Sequence, residues 1–124
     1  MDIADFHTAA SHQEGAEMRV RKPDGSYSDC YIALIGIDSP QWREIVKNRS
    51  RSDMRKVINN DEKTDEDEKA EDLAKATVSW RGFTDNGEDI DFSLEKVEQL
   101  YKAAPYIADQ VDMFIANRAN FIKG

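Results

Sequence analysis

The segment Tyr27–Ile37 (YSDCYIALIGI) constrains the fold more than any other. It is rich in aromatic and β-branched residues, it follows a Pro23-Asp24-Gly25-Ser26 turn, and its second half is apolar at nearly every position. Proline presets φ for a turn and glycine tolerates positive φ, so Met18–Lys22 and Tyr27–Ile37 are predicted to pair as a β-hairpin over 18–37. A strand end this apolar does not face water. The remaining chain has to supply helices that cover it. The predicted fold class is therefore α+β, mainly α, with an N-terminal β-hairpin packed on a bundle of about four helices.

Four helical stretches answer that requirement. Ser39 and Pro40 start the first, about 39–59, as N-cap and first helical residue. Trp42, Ile45, Val46, Arg49, Asp53, Val57 and Ile58 recur along it at helical spacing, opposite a basic face of Arg43, Lys47, Arg51, Arg55 and Lys56. The pattern fades at Asn59-Asn60, and the run Asp61–Asp72 follows with eight acids and two lysines. The first half of that run reads as a solvated loop. From Asp65 the acids suit a helix N-terminus, and Ala70, Leu73, Ala74, Thr77 and Trp80 form a stripe, so a second helix is predicted over 65–80. After the break at Gly82–Asp91, Ser93 caps a third helix, about 93–104, ended or kinked by Pro105. The fourth covers 106–122. Residues 1–17 show little periodicity and read as a flexible N-terminal arm with at most one helical turn, leaving 18–124 as a single domain.

The composition limits the function classes. Within 124 residues, 40% hydrophobic and 34% charged, only a modest core can form. Such a chain buries roughly two-thirds of its unfolded surface, and a partner or self-association into a homo-oligomer would add stability. With 17 basic against 25 acidic residues the formal charge is −8, a field that repels nucleic acid and anionic lipid. No stretch approaches the roughly 20 apolar residues of a membrane span. The segment MDIADFHTAA lacks the basic and apolar regions of a signal peptide. One cysteine, Cys30, allows no internal disulfide and fits a reducing compartment. The expected location is the cytoplasm.

Chemistry-bearing constellations are sparse. His7 and His12, five apart, turn away from each other on a helix, and zinc needs about four N or S ligands; both are expected to be exposed. Cys30 lies beside Asp29 in a strand with no base nearby, which favours a core or half-buried thiol. Aligning Gly87 with the glycine of a calcium loop puts Gly82 and Ser93 where carboxylates belong, so Asp85, Glu88, Asp89 and Asp91 are read as turn residues. No phosphate-binding loop, catalytic triad or nucleophile elbow is present. The expectation is no enzyme activity, no metal and no cofactor. The basic helix face is expected to pair with the acidic run that follows it rather than with nucleic acid. Trp80, Phe83, Phe92, Tyr101, Tyr106, Phe114 and Phe121 are too many rings for two helices to hide, so part of this set is expected to meet a partner. The candidate contacts are Trp80, Phe83, Tyr101, Tyr106, Phe114, Ile115 and Phe121.

The order from Trp80 onward is distinctive: WRGF, an acidic turn with glycine in TDNGEDIDFS, the helix LEKVEQLYKAAP, and YIADQVDMFIANRANFIKG. This resembles the tail assembly chaperones of long-tailed bacteriophages and prophages over about the last third of the chain. The positions that carry the likeness are Trp80, Gly82, Phe83, Asp85, Gly87, Phe92, Ser93, Pro105, Asn120 and Phe121. The hairpin and basic helix follow the family's layout only loosely. The resemblance implies a non-enzymatic protein of the host cytoplasm that binds the tape measure protein, helps recruit the major tail protein, and is absent from the finished virion. Two other readings remain open: a structural minor tail or head–tail joining protein, and a small nucleic-acid-binding regulator acting through Arg43, Lys47, Arg51 and Arg55.

Overall fold

The computed structural model describes residues 1–59 and 64–122. A 3₁₀ turn at Ile3–Phe6 precedes α1 (Ala9–Glu14), β1 (Ala16–Arg21), β2 (Tyr27–Leu34), α2 (Pro40–Asn59), α3 (Asp65–Lys75), β3 (Thr77–Arg81), the two-residue strands β4 (Thr84–Asp85) and β5 (Glu88–Asp89), α4 (Leu94–Ala103), α5 (Pro105–Ala116) and a 3₁₀ turn at Arg118–Phe121. The class is α+β, mainly α. The loop expected after Asn59 falls on residues 60–63, outside the described residues, as do the side chains of Arg55, Lys56, Val57 and Ile58.

The hairpin forms where its turn chemistry requires. Gly25 sits at φ +88°, Lys22 N–H donates to the Ser26 carbonyl at 2.7 Å, and Asp24 Oδ1 accepts from both Ser26 N–H and its hydroxyl. β1 and β2 pair antiparallel from Ala16↔Leu34 to Arg21↔Tyr27. The hairpin is not the whole sheet, because β3 pairs antiparallel with the other edge of β2 and gives the order β1-β2-β3. Here the sequence expectation is corrected. Residues 76–80 were expected to continue the helix 65–80, but the helix stops at Lys75 with Ala76 as its C-cap. Thr77, Val78 and Trp80 are β-branched or aromatic and favour a pleated strand, and the unpaired edge of β2 needs a hydrogen-bonding partner. Thr77 marks the switch: its hydroxyl donates back to the Leu73 carbonyl at 2.8 Å, at the last turn of α3.

Two helices begin at the caps expected of them, Ser39 and Ser93, and α3 begins at a cap not expected from the sequence, Thr64. Ser39 Oγ accepts from Trp42 N–H ahead of Pro40, Thr64 Oγ1 accepts from Asp67 N–H, and Ser93 Oγ accepts from Lys96 N–H, each at 3.1 Å. Pro105 both ends α4 and opens α5. The final helix is shorter than the expected 106–122: Asn117 interrupts it, accepting from Ala119 N–H, and the chain finishes in a 3₁₀ turn.

One core joins these elements. Met18, Val20, Ile32 and Leu34 line the inner face of the sheet against Leu73 and Ala74 of α3, Val97 and Tyr101 of α4, and Ile107, Val111 and Ile115 of α5. Tyr101 takes its hydroxyl into this core, where it meets Thr77 Oγ1 at 2.7 Å, and burial pushes its ionisation upward. The outer sheet face is polar. Arg81 forms a two-pronged pair with Glu17 at 2.7 and 2.8 Å and lies 3.8 Å above the ring of Tyr31. The free edge of β1 is closed by Gln110 of α5, whose amide both donates to and accepts from the Arg21 backbone.

The acidic run does pair with the preceding helix, through a residue assigned to the apolar stripe. Arg49 donates to both carboxylate oxygens of Asp72 at 3.0 and 2.9 Å and to Glu71 at 3.2 Å, with Glu68 at 3.6 Å. Asp72 first, then Glu71, hold its guanidinium firmly charged. Arg43, Lys47 and Arg51 are exposed. No helix of the described residues is long and apolar enough to cross a membrane.

Candidate functional site

A broad open groove lies where β3 leaves the sheet. Gly82, at φ +87°, turns the chain out of β3, and its α-carbon packs so closely on the Asp29 carbonyl that no side chain fits there. The chain then makes a tight ribbon, β4 to β5. Its two turn residues, Asn86 and Gly87, both adopt positive φ (53° and 82°), the geometry that Asn-Gly favours in two-residue hairpins. Phe83 carbonyl accepts from Ile90 N–H at 2.9 Å, locking the base of the ribbon.

Trp80 organises the rings around it. Its indole N–H donates to the Ile90 carbonyl at 2.8 Å, its ring lies 4.7 Å from that of Phe83, and Phe92 meets it edge-on at 5.6 Å. All three rings are half-buried. α4 forms the opposite wall with Lys96, Gln99, Leu100 and Ala103, one helical face. Between the walls runs an open groove of about 840 Å³, rimmed by Asp85, Glu88, Asp89 and Asp91. The surroundings can bury an apolar segment and attract cations beside it.

The candidate contacts divide between two places. Trp80 and Phe83 line the groove. Tyr106 is 41% exposed at the start of α5, and Phe114 is half-buried on the other side of the domain, in a second, smaller hollow of 460 Å³ with Met113, Tyr27, Arg19 and Arg21. Tyr101, Ile115 and Phe121 were expected at a partner surface and are enclosed instead, each no more than 2% exposed. Tyr101 and Ile115 point along the helix faces that meet the sheet, so the chain's own core takes them.

Phe121 is enclosed for a different reason. The N-terminal segment closes over it: His12 of α1 stacks on its ring at 4.6 Å, and Phe114 touches its edge at 5.5 Å. His12, expected to be exposed, is 1% exposed. Its Nδ1 accepts from Asp38 N–H at 3.0 Å and its carbonyl accepts from Gly36 N–H at 2.9 Å. Asp38 completes the clasp, accepting two hydrogen bonds from Arg118 at 2.7 and 2.9 Å and one from the Thr8 hydroxyl. These partners hold its carboxyl well below the usual carboxylate range, Arg118 first and Thr8 second. Segment 1–17 therefore carries α1, the start of β1 and a buried residue, in place of an arm apart from the fold.

Sequence reasoning missed Leu100 and Ala103 as groove residues, and took the four rim carboxylates for turn residues alone. The Asn86-Gly87 turn was legible, but the wall that faces it comes from the next helix. Cys30 is half-buried, with its thiol 3.3 Å from the Gly82 carbonyl. Among the described residues no three His, Cys, Asp or Glu side chains are grouped to hold a metal ion. No protein-family model, curated protein or solved structure matches the chain.

Proposed function

We propose that this chain is a tail assembly chaperone of the long-tailed bacteriophage type, a non-enzymatic binding protein. In this reading it works in the host bacterial cytoplasm, binds the tape measure protein, assists recruitment of the major tail protein, and leaves before the virion is complete. One observation carries the proposal. Of the ten positions that bear the family resemblance, Trp80, Phe83 and Asp85 line the open groove, Gly82 and Gly87 turn the chain that shapes it, Phe92 packs on Trp80 and Ser93 caps the α4 wall, while Pro105, Asn120 and Phe121 lie outside it. A chain that keeps an aggregation-prone helical client soluble needs apolar surface left uncovered beside charge, and this region supplies both. The contact set is correspondingly reduced to Trp80 and Phe83, with Tyr106 and Phe114 outside the groove.

Co-expression with a tape measure protein tests the reading. The expected outcome is that the client moves to the soluble fraction and co-purifies with this chain; equal insolubility with and without the chain overturns it. Mass spectrometry of purified virions checks the second part, since a chaperone is expected to be missing from them.

A further inference from the structure

We propose that the groove between the β4–β5 ribbon and α4 takes a cationic amphipathic helix of the partner, with its apolar face on Trp80, Phe83 and Leu100 and its lysines or arginines against the carboxylate rim. The inference rests on reading the chain as a binding protein and adds the chemistry of what it binds. Three features specify the occupant. The floor is apolar and aromatic, which selects an apolar stripe. The rim carries Asp85, Glu88, Asp89 and Asp91 against a single facing ammonium, Lys96, so complementary charge is positive. The α4 wall presents Lys96, Gln99, Leu100 and Ala103 at the i, i+3, i+4, i+7 spacing by which one helix packs on another, and the small Ala103 allows close approach. No described element of this chain covers that face of α4: Lys96, Gln99 and Ala103 are exposed and Leu100 is half-buried.

The test uses the full chain and a synthetic helical peptide of leucine and lysine, with a leucine and glutamate peptide as control, followed by backbone amide NMR shifts. The expected shifts concentrate on residues 80–91 and 96–103, and the acidic control does not bind. The triple variant Glu88→Gln, Asp89→Asn, Asp91→Asn keeps Asp85 in its turn and is expected to weaken the lysine peptide on the order of tenfold. A matched variant, Asp29→Asn, Glu44→Gln, Asp53→Asn, removes the same charge from exposed sites elsewhere and is expected to weaken it far less. Ala103→Arg, at an exposed position, is expected to abolish binding with the melting temperature unchanged.

Equal weakening by the two triple variants overturns the proposal, because general acidity then explains the binding. Shifts centred elsewhere overturn it too, as does a concentration-dependent dimer of this chain that excludes the peptide. The co-expression assay separates the two proposals. If the rim variant solubilises a tape measure protein as well as the wild type does, the groove assignment falls and the chaperone reading stands. If the wild type fails there but binds the lysine peptide in the groove, the reverse holds.

Discussion

The C-terminal half carries two aromatic clusters that look alike in sequence and end in opposite states. Phe121 stacks on His12 and is sealed beside the clasp of Thr8, Asp38 and Arg118, with the half-buried Phe114 at its edge; Trp80, Phe83 and Phe92 pack on one another and stay half-open beside four carboxylates. The difference lies in what the rest of the chain brings to each. The first cluster receives a helix from the opposite terminus, held by hydrogen bonds to a carboxylate between them. The second receives only its own ribbon and one wall of α4. A ring becomes available to a partner when no distant segment closes over it, whatever its own local pattern.

The largest expected effect separates the clusters by stability. Phe121→Ala empties a sealed site and is expected to cost about 3–5 kcal/mol, whereas Phe83→Ala, at a half-buried ring, is expected to cost about 1–2 kcal/mol while impairing partner capture. Urea unfolding of both variants measures this. Equal costs would break the comparison by making the open cluster structural.

A smaller effect acts on the lid of the sealed cluster. Any side chain on Gly36 overlaps the His12 ring, so Gly36→Ala is expected to destabilise by about 1–3 kcal/mol through overpacking. Hydrogen exchange is expected to quicken across α1 and leave the β4–β5 ribbon unchanged. Faster exchange in both places would show that the groove depends on the clasp.

The smallest effect is acid sensitivity. The folded chain holds the Asp38 carboxyl below its ordinary range. Its contribution is therefore complete above the unfolded value of about 3.9 and is lost as pH falls through that value toward the folded one. Arg118 is mostly exposed, which screens the pair and keeps the effect small. The stability gap between wild type and Arg118→Gln is expected to be constant from neutral pH down to about 4 and to shrink below it. Acid unfolding curves at matched salt check this, and a gap unchanged at pH below about 3 would remove Asp38 from the clasp.

Much of the architecture is written in short-range chemistry. Pro23-Asp24-Gly25-Ser26 bends the hairpin, Ser39-Pro40 and Ser93 start helices, Pro105 divides α4 from α5, and Asn86-Gly87 turns the ribbon. Each acts through dihedral preference or a hydrogen bond within a few residues, so one stretch of sequence contains cause and effect together. The third strand was illegible because the stripe from Ala70 to Trp80 is equally regular as a helix; the open edge of β2, which turned Thr77–Arg81 into a strand, lies elsewhere in the sequence.

The sequence by itself determined the acidic character, the mainly helical α+β class, the hairpin turn and the starts of α2, α3 and α4. Only the tertiary structure decided that Tyr101, Ile115 and Phe121 are interior, that His12 is a core residue, and that Arg49 neutralises the acids of α3. Periodicity states which side chains share a face, but burial depends on what arrives to cover that face. That is set by contacts such as His12 on Phe121 and Arg118 on Asp38, between segments that no local pattern connects.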